Sequence, residues 1–366
     1  MNKLNVIGPV CHQTSYGESV ISIVTELTKL GKEVSLFPIG PVSIDPGLQD
    51  THEPIKKSLC DGQRGYYDQK SISLRIFHAN SMAEHVGSPR VGFTIFELDK
   101  FSILETNHLK QLDHIIVNSE WAKSIVDKQI GVPCSIVPLG VDTTLFKPVE
   151  RTNKPTRFVL CGKIETRKRT KEIVDAFNLA FYKEDDVELY LAWSNIFMDK
   201  TELDEWIRFA KSKKLGSKTF PLERFQSSVQ VANLLSSCDC LVSCSSAEGW
   251  NLPCLQMLST GGHVIATRNT AQTEFLNDKN SLLIDTSELE IARDAKWFSS
   301  QGFEGTPGQW YKIGKPQIDQ LVTHLRMVHE FKQTGSLKMN SEGIETAKSF
   351  TWTNSAKKLT EVLEQL

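Results

Sequence analysis

The chain has no long apolar run, and nothing in it approaches the roughly 20 residues that a membrane-spanning helix needs. It has no excess of one charge: 42 Lys and Arg against 44 Asp and Glu leave a formal net charge of −2. No global pull toward nucleic acid or anionic lipid follows from that balance. There is no Asp-x-Asp metal motif, since Cys238-Asp239-Cys240 carries a single acid. There is no zinc-type cysteine spacing either. Cys238, Cys240 and Cys244 lie close together, but C-x-C-x3-C matches no usual zinc pattern. Cys240 and Cys244 share parity in a strand-like run, where a thiol packs as a small hydrophobe. Short-period repeats and low-complexity tracts are absent. The opening MNKLNVIGPV is too short an apolar run for a signal peptide and is broken by Gly8-Pro9, so it reads as a first strand. A soluble, cytoplasmic protein is expected.

What is present is an alternation of strand and helix signals over 366 residues, a comfortable length for two domains. LNVIG, EVSLFPI, SLRIFHA, RVGFTIF, HIIVNS and SIVPLG read as strands. Glu18–Leu30 has apolar residues at helical spacing, ended by Gly31, and Ala122–Ile130 reads as a further helix. The polar stretch from Glu150 to Thr156 reads as a linker. The rhythm restarts with RFVLCG and a helix over Thr170–Phe181, then the strands VELYLAW, CLVSCS, HVIAT and SLLID. Phe298–Gly314 reads as an irregular loop and Asn354–Leu366 as an amphipathic helix. Two βα sets of this kind predict two doubly wound, Rossmann-like domains facing across a cleft.

The most informative stretch is Cys240–Ile265, CLVSCSSAEGWNLPCLQMLSTGGHVI. It reads as a strand, a loop carrying Glu248, and a helix opening at Pro253, where a missing N–H costs nothing. Such a helix aims unpaired N–H groups and its positive dipole end beyond the sheet, where phosphorylated ligands bind in open α/β folds. The N–H groups of Trp250, Asn251 and Leu252 are candidate oxygen binders, and Gln256 lies about a turn further in. A second cluster, GKIETRKR over Gly162–Arg169, follows the strand RFVLC. Lys163 and Lys168 there are candidates to neutralise a diphosphate, although a solvated basic helix start would look the same. A third, HQTSYGESV, places Gly17 where backbone can approach a ligand closely, or where it makes a plain βα turn. A fourth, VGFTIFELDKFS, puts Glu97 and Asp99 past a strand's carboxyl end, with His78 after SLRIF as another candidate to accept a proton.

The 240–265 segment resembles the E-x7-E region of retaining glycosyltransferases of the large family 4 class, usually EGFGLP followed by EAMACG-P-VI. Glu248 stands at the first acidic position and Gln256 at the second. GKIETRKR resembles that family's G-R-x4-K-G, with Lys163 for the arginine, Lys168 for the lysine and Arg169 for the glycine. Residues 113–148, residues 239–275 and the closing SFTWTNSAKKLTEVLEQL are similar to the family as well, and Glu274 falls where it has a glutamate.

The resemblance implies a GT-B fold. Residues 1–150 would form an acceptor domain and 151–345 a nucleotide-sugar donor domain, with 346–366 a helix crossing back to the first. It implies transfer of a sugar from a nucleoside diphosphate (a UDP- or GDP-sugar) to a hydroxyl, with retention, no bound metal and no further cofactor. In that reading Lys163 and Lys168 stabilise the departing diphosphate, Glu248 fixes the sugar, Gln256 holds the ribose and Glu97 takes the acceptor's proton. The acceptor would be a glycan, a small molecule or hydroxymethylated bases of DNA; near-neutral charge argues against the last, and KSKKLGSK at Lys211–Lys218 leaves it open. A nucleotide-sugar binding or epimerising protein of the same fold is the other alternative.

Overall fold

A computed structural model describes residues 2–152, 154–193, 195, 198–293 and 308–366. The first half holds six strands: β1 (Lys3–Gly8), β2 (Glu33–Pro38), β3 (Ser73–Ile76), β4 (Arg90–Phe93), β5 (His114–Val117) and β6 (Cys134–Ile136). They pair in the order β2-β1-β3-β4-β5-β6, all parallel. Parallel strands need crossovers. The crossovers here include α1 (Ser15–Lys29), α2 (His52–Gln63), α3 (Ile103–Leu109) and α4 (Glu120–Gln129). Helix α1 starts earlier than its apolar spacing predicts, because Thr14 caps it by accepting from the Gly17 N–H at 3.1 Å. Its buried stripe, Val20, Ile21, Ile23, Val24 and Leu27, packs into the core around β1.

The second half repeats the plan with β7 (Thr156–Cys161), β8 (Val187–Ala192), β9 (Thr219–Pro221), β10 (Cys240–Ser243), β11 (His263–Arg268) and β12 (Leu282–Asp285). The order is β12-β11-β10-β7-β8-β9, again all parallel. Its helices are α5 (Thr170–Ala180), α6 (Lys200–Lys211), α7 (Ser228–Ser237), α8 (Leu252–Ser259) and α9 (Lys315–Gln333). Strand order reverses between β1 and β3 in the first sheet and between β7 and β10 in the second. Those are the points where open α/β sheets leave a crevice beyond the strands' carboxyl ends.

A two-stranded antiparallel hairpin, β13 (Leu289–Ile291) with β14 (Gln309–Tyr311), is added to this frame. The loop expected at 298–314 is therefore partly strand; its residues 298–307 lie outside the described residues. The expected linker is pinned rather than loose. Half-buried Arg151 donates to the carbonyls of Val149 and Thr260 at 3.0 Å, of Leu235 at 3.2 Å and of Cys238. Asn153, also in that linker, lies outside the described residues.

The chain crosses between the halves twice, side by side. The Val141 N–H donates to the Phe350 carbonyl at 2.9 Å, and a Cβ on Gly140 would stand 2.2 Å from the Trp352 nitrogen. Beside this seam α10 (Ser341–Ser349) packs on α8, while α11 (Trp352–Leu363) packs on α1. The Thr353 hydroxyl reaches Glu26 at 2.7 Å and Lys32 pairs with Glu364 at 2.8 Å. The two halves also touch directly. Asn118 donates to the Gly249 carbonyl at 2.6 Å, and a Cβ on Gly249 would meet the Ile95 side chain at 2.6 Å. Cys240 and Cys244 pack in one apolar cluster, as their parity predicts. Among the described residues, no group of His, Cys, Asp and Glu is arranged to hold a metal, and no helix is long and apolar enough to cross a membrane.

Candidate active site

The loops that leave β7 and β10 meet at the switch point of the second sheet. Gly162 ends β7 at φ 144, a backbone region closed to most side chains. A Cβ there would stand 3.2 Å from the Lys168 chain, so the glycine lets Lys168 run back across the strand end. The Lys168 ammonium sits 2.7 Å from Glu248 Oε1. The Ser245 hydroxyl donates to the same oxygen at 2.6 Å, and the Glu248 N–H donates to Thr270 Oγ1 at 2.8 Å. Arg167, 4% exposed, holds Glu248 Oε2 at 3.0 Å and Glu165 Oε2 at 2.9 Å, and Lys163 takes Glu165 Oε1 at 2.9 Å. Burial by itself would raise the Glu248 carboxyl, but Lys168 and Arg167 overcome it and hold the pKa down at about 2. Glu165 is likewise lowered against its burial by Arg167 and Lys163.

Arg169 occupies the position where the resembled motif has glycine, and it keeps a glycine-like backbone at φ 53. An L-residue there costs about 1–2 kcal/mol. Compensating contacts come from Ser246 Oγ at 2.7 Å, Glu172 at 3.5 Å, Glu290 of the hairpin, and the Trp310 ring at 5.8 Å. Asn251, at φ 77, makes the turn into α8, and its side-chain amide is fixed by Ser243 at 2.9 Å and Gln272 at 2.8 Å. Among the described residues, the backbone N–H groups of Trp250, Asn251 and Leu252 have no protein acceptor. They therefore remain available at the N-terminus of α8.

The first sheet supplies the facing wall. Glu97, past β4, lies 3.6 Å from Arg167, and burial raises its pKa, partly offset by Arg167. The Tyr16 hydroxyl donates to the Ile95 carbonyl at 2.6 Å and accepts the Ile95 N–H at 2.9 Å. Its ring stacks edge-on against His78 at 4.6 Å. His78 opens to solvent on one side, yet the surrounding protein and then the Lys163 charge hold its imidazole near a pKa of about 4, so it is neutral at ordinary pH. Glu18, near the start of α1, accepts from Gln256 Nε2 across the cleft at 3.0 Å. Burial lifts its carboxyl to about 7, although the Gln256 bond works the other way.

Lys163, Lys168, Glu248 and Glu97 thus share one cluster, and Gln256 lies on the same cleft wall. Other candidates are placed differently. A Cβ on Gly17 would fall 1.9 Å from the Cys11 carbonyl oxygen, so the close approach there is the chain's own turn and not a ligand's. The Asp99 carboxylate accepts the Gln309 N–H at 2.6 Å and fastens the hairpin. Glu274 accepts the Glu120 N–H at 2.6 Å at the start of α4, where the dipole favours an anion. The Trp250 ring and the Leu252 side chain are buried in the core, so only their backbone faces the question of ligand binding. Sequence reasoning assigned no role to Arg167, Glu165, Glu18 or Tyr16. An arginine beside Lys168 was the one available signal, and its partners lie far away in sequence.

Two parallel six-stranded sheets over a cleft, joined by a double crossing and a returning last helix, define the GT-B class of glycosyltransferase fold. Residues 141–312 match the family model Glycosyl transferases group 1. Among solved structures, the chain is similar to a sucrose-phosphate synthase from Thermosynechococcus elongatus (14% identity, 100% of this chain and 99% of that one, TM-score 0.70). It is similar to Anabaena Alr3699/HepE in complex with UDP and glucose (15% identity, all of both chains, TM-score 0.69). It is also similar to a glycosyltransferase from Rickettsia africae (12% identity, 100% and 98% covered, TM-score 0.69). No curated protein sequence matches it.

Proposed function

We propose that the protein is a retaining, metal-independent glycosyltransferase that uses a nucleoside-diphosphate sugar. The observation that carries this reading is the Lys168–Glu248 pair beside the unpaired N–H groups opening α8, at the switch point of the second sheet. Residues 151–345 bind the donor, residues 1–150 present the acceptor, and 346–366 tie the two together. Lys163 and Lys168 take the charge that builds on the leaving diphosphate, with the amides of Trp250, Asn251 and Leu252 beside them. Once Lys168 has moved to the phosphate, Glu248 holds sugar hydroxyls. Gln256 and Glu18 together offer the amide and carboxylate that a ribose diol would use. The acceptor hydroxyl attacks the anomeric carbon from the leaving-group side, the bond to the diphosphate breaks, and the hydroxyl proton passes to Glu97.

A UDP-sugar is the favoured donor, because the Anabaena neighbour of the same fold is described with UDP and glucose. Modified DNA is disfavoured as acceptor. In the basic run, Lys211 is spent on the Gly216 and Thr219 carbonyls, Lys213 on Asp175 and Lys218 on the Asp185 carbonyl, so few charges remain for phosphates. A thermal-shift series of UDP-, GDP- and ADP-sugars tests the donor. A ligand at 100 times its dissociation constant adds about 2.7 kcal/mol of stability. No shift with any of them, or a product of inverted anomeric configuration by NMR, would count against the reading. Unchanged turnover in excess EDTA is expected.

A further inference from the structure

The donor wall has a doubled pattern of partners. Glu248 gives one oxygen to Lys168 at 2.7 Å and the other to Arg167 at 3.0 Å. Glu165 gives one oxygen to Lys163 and the other to Arg167, each at 2.9 Å. Each carboxylate therefore has one lysine of its own and shares the same arginine. Both carboxylates are 5% exposed and Arg167 is 4% exposed, whereas Lys163 is 47% exposed. Arg167 is further held by the Ala247 carbonyl and lies 3.6 Å from Glu97 on the opposite wall. Lys163 can therefore leave toward solvent or a ligand, and Lys168, 13% exposed on a flexible stem, has more freedom to move than the planar, enclosed guanidinium.

We propose that Arg167 is a positioning residue, a resident counter-charge that stays on Glu165 and Glu248 when Lys163 and Lys168 pass to the donor's diphosphate. This rests on the function proposed above. A buried carboxylate deprived of its cation is strongly unfavourable, so without Arg167 the two lysines would be bound to protein and withheld from phosphate. With it, the exchange leaves neither Glu165 nor Glu248 without a cation.

Calorimetry with UDP and GDP on the intact protein tests the idea. Arg167→Gln is expected to weaken binding of the better nucleotide by about 10- to 100-fold. Glu165→Gln alone is expected to tighten it, because Lys163 loses its competitor. The double variant is expected to recover most of the loss, a coupling that a general structural defect would not produce. A folded Arg167→Gln protein with unchanged affinity overturns the proposal, and so does a double variant no tighter than the single one. If Arg167→Gln does not fold, Glu165→Gln decides: tighter binding supports the proposal, equal or weaker binding overturns it. A wild-type protein that binds neither of these nucleotides nor ADP removes the glycosyltransferase reading and this inference with it. Failure confined to the Arg167 variants leaves that reading standing.

Discussion

The two walls of the cleft are built on the same parallel βα plan but set their ionisable groups in opposite directions. On the first-half wall burial dominates: Tyr16 and Glu97 are raised, Glu18 is lifted to about 7 and His78 is lowered to about 4, each toward its neutral form. On the second-half wall ion pairing dominates. Glu248 is held at about 2, Glu165 is lowered and Arg167 is raised, each toward its charged form, although all three are buried. The second-half groups are the more fully enclosed, yet they are the charged ones. What differs is whether a carboxylate finds a cation at about 3 Å, and that decides which form survives. A wall of neutral, hydrogen-bonding groups suits an uncharged hydroxyl acceptor. A wall of exchangeable ion pairs suits a diphosphate.

The contrast can be broken most severely at Lys168. Lys168→Ala is expected to lower sugar transfer by about 10²–10³-fold, measured as kcat on the best donor, as for loss of one charge-stabilising donor. Near-wild-type turnover would show that the ion-pair wall is only architectural. Gly162→Ala comes next. Its added methyl must displace the Lys168 chain and adopt a strained φ, so donor affinity is expected to fall while Lys168 itself is intact. A variant with native affinity would show that the lysine does not need its path over the strand end.

Glu97→Gln sharpens the other side. If Glu97 receives the acceptor's proton, kcat/KM of the wild type falls as the pH drops through its raised pKa, above the ordinary carboxylate range. The variant would lose that acid limb, and a retained limb would transfer the role elsewhere. Glu18→Gln gives the smallest effect. A folded-state pKa raised to about 7 means that stability is fully present below the ordinary pKa and is lost as pH rises toward and through 7. The variant should therefore be more stable than wild type by about 1–2 kcal/mol at pH 8, after allowing for partial solvent access, and equal to it at pH 4. For Glu248 the sign is reversed, its contribution disappearing only as pH falls toward 2. Melting curves across that range read both.

The doubly wound halves and the strand–loop–helix units at the cleft were legible in the sequence because they depend on local spacing: a strand, a short polar loop and a helix opening at a proline within about 25 residues. The other features depend on long-range pairing. Arg167 sits inside a quoted motif, yet its meaning comes from Glu248, far along the chain. Gln256 reads as a weakened glutamate until Glu18, 238 positions away, supplies the carboxylate. Gly17 reads as ligand-facing because a glycine does not reveal which backbone will fill its space. Arg169 reads as a lost glycine, whereas Ser246, Glu290 and Trp310 hold it in the left-handed conformation that glycine would adopt freely. The β13–β14 hairpin went unseen because its two short strands are separated by 17 residues and have little periodicity of their own.

The pair of adjacent crossings at Gly140–Val141 and Phe350–Trp352 has a mechanical consequence. Two stitches placed together act as the spine of a book: the covers can swing, but they cannot slide. The Asn118–Gly249 bond lies near that spine, since the adjacent Trp250 ring packs on Phe350 at 5.8 Å.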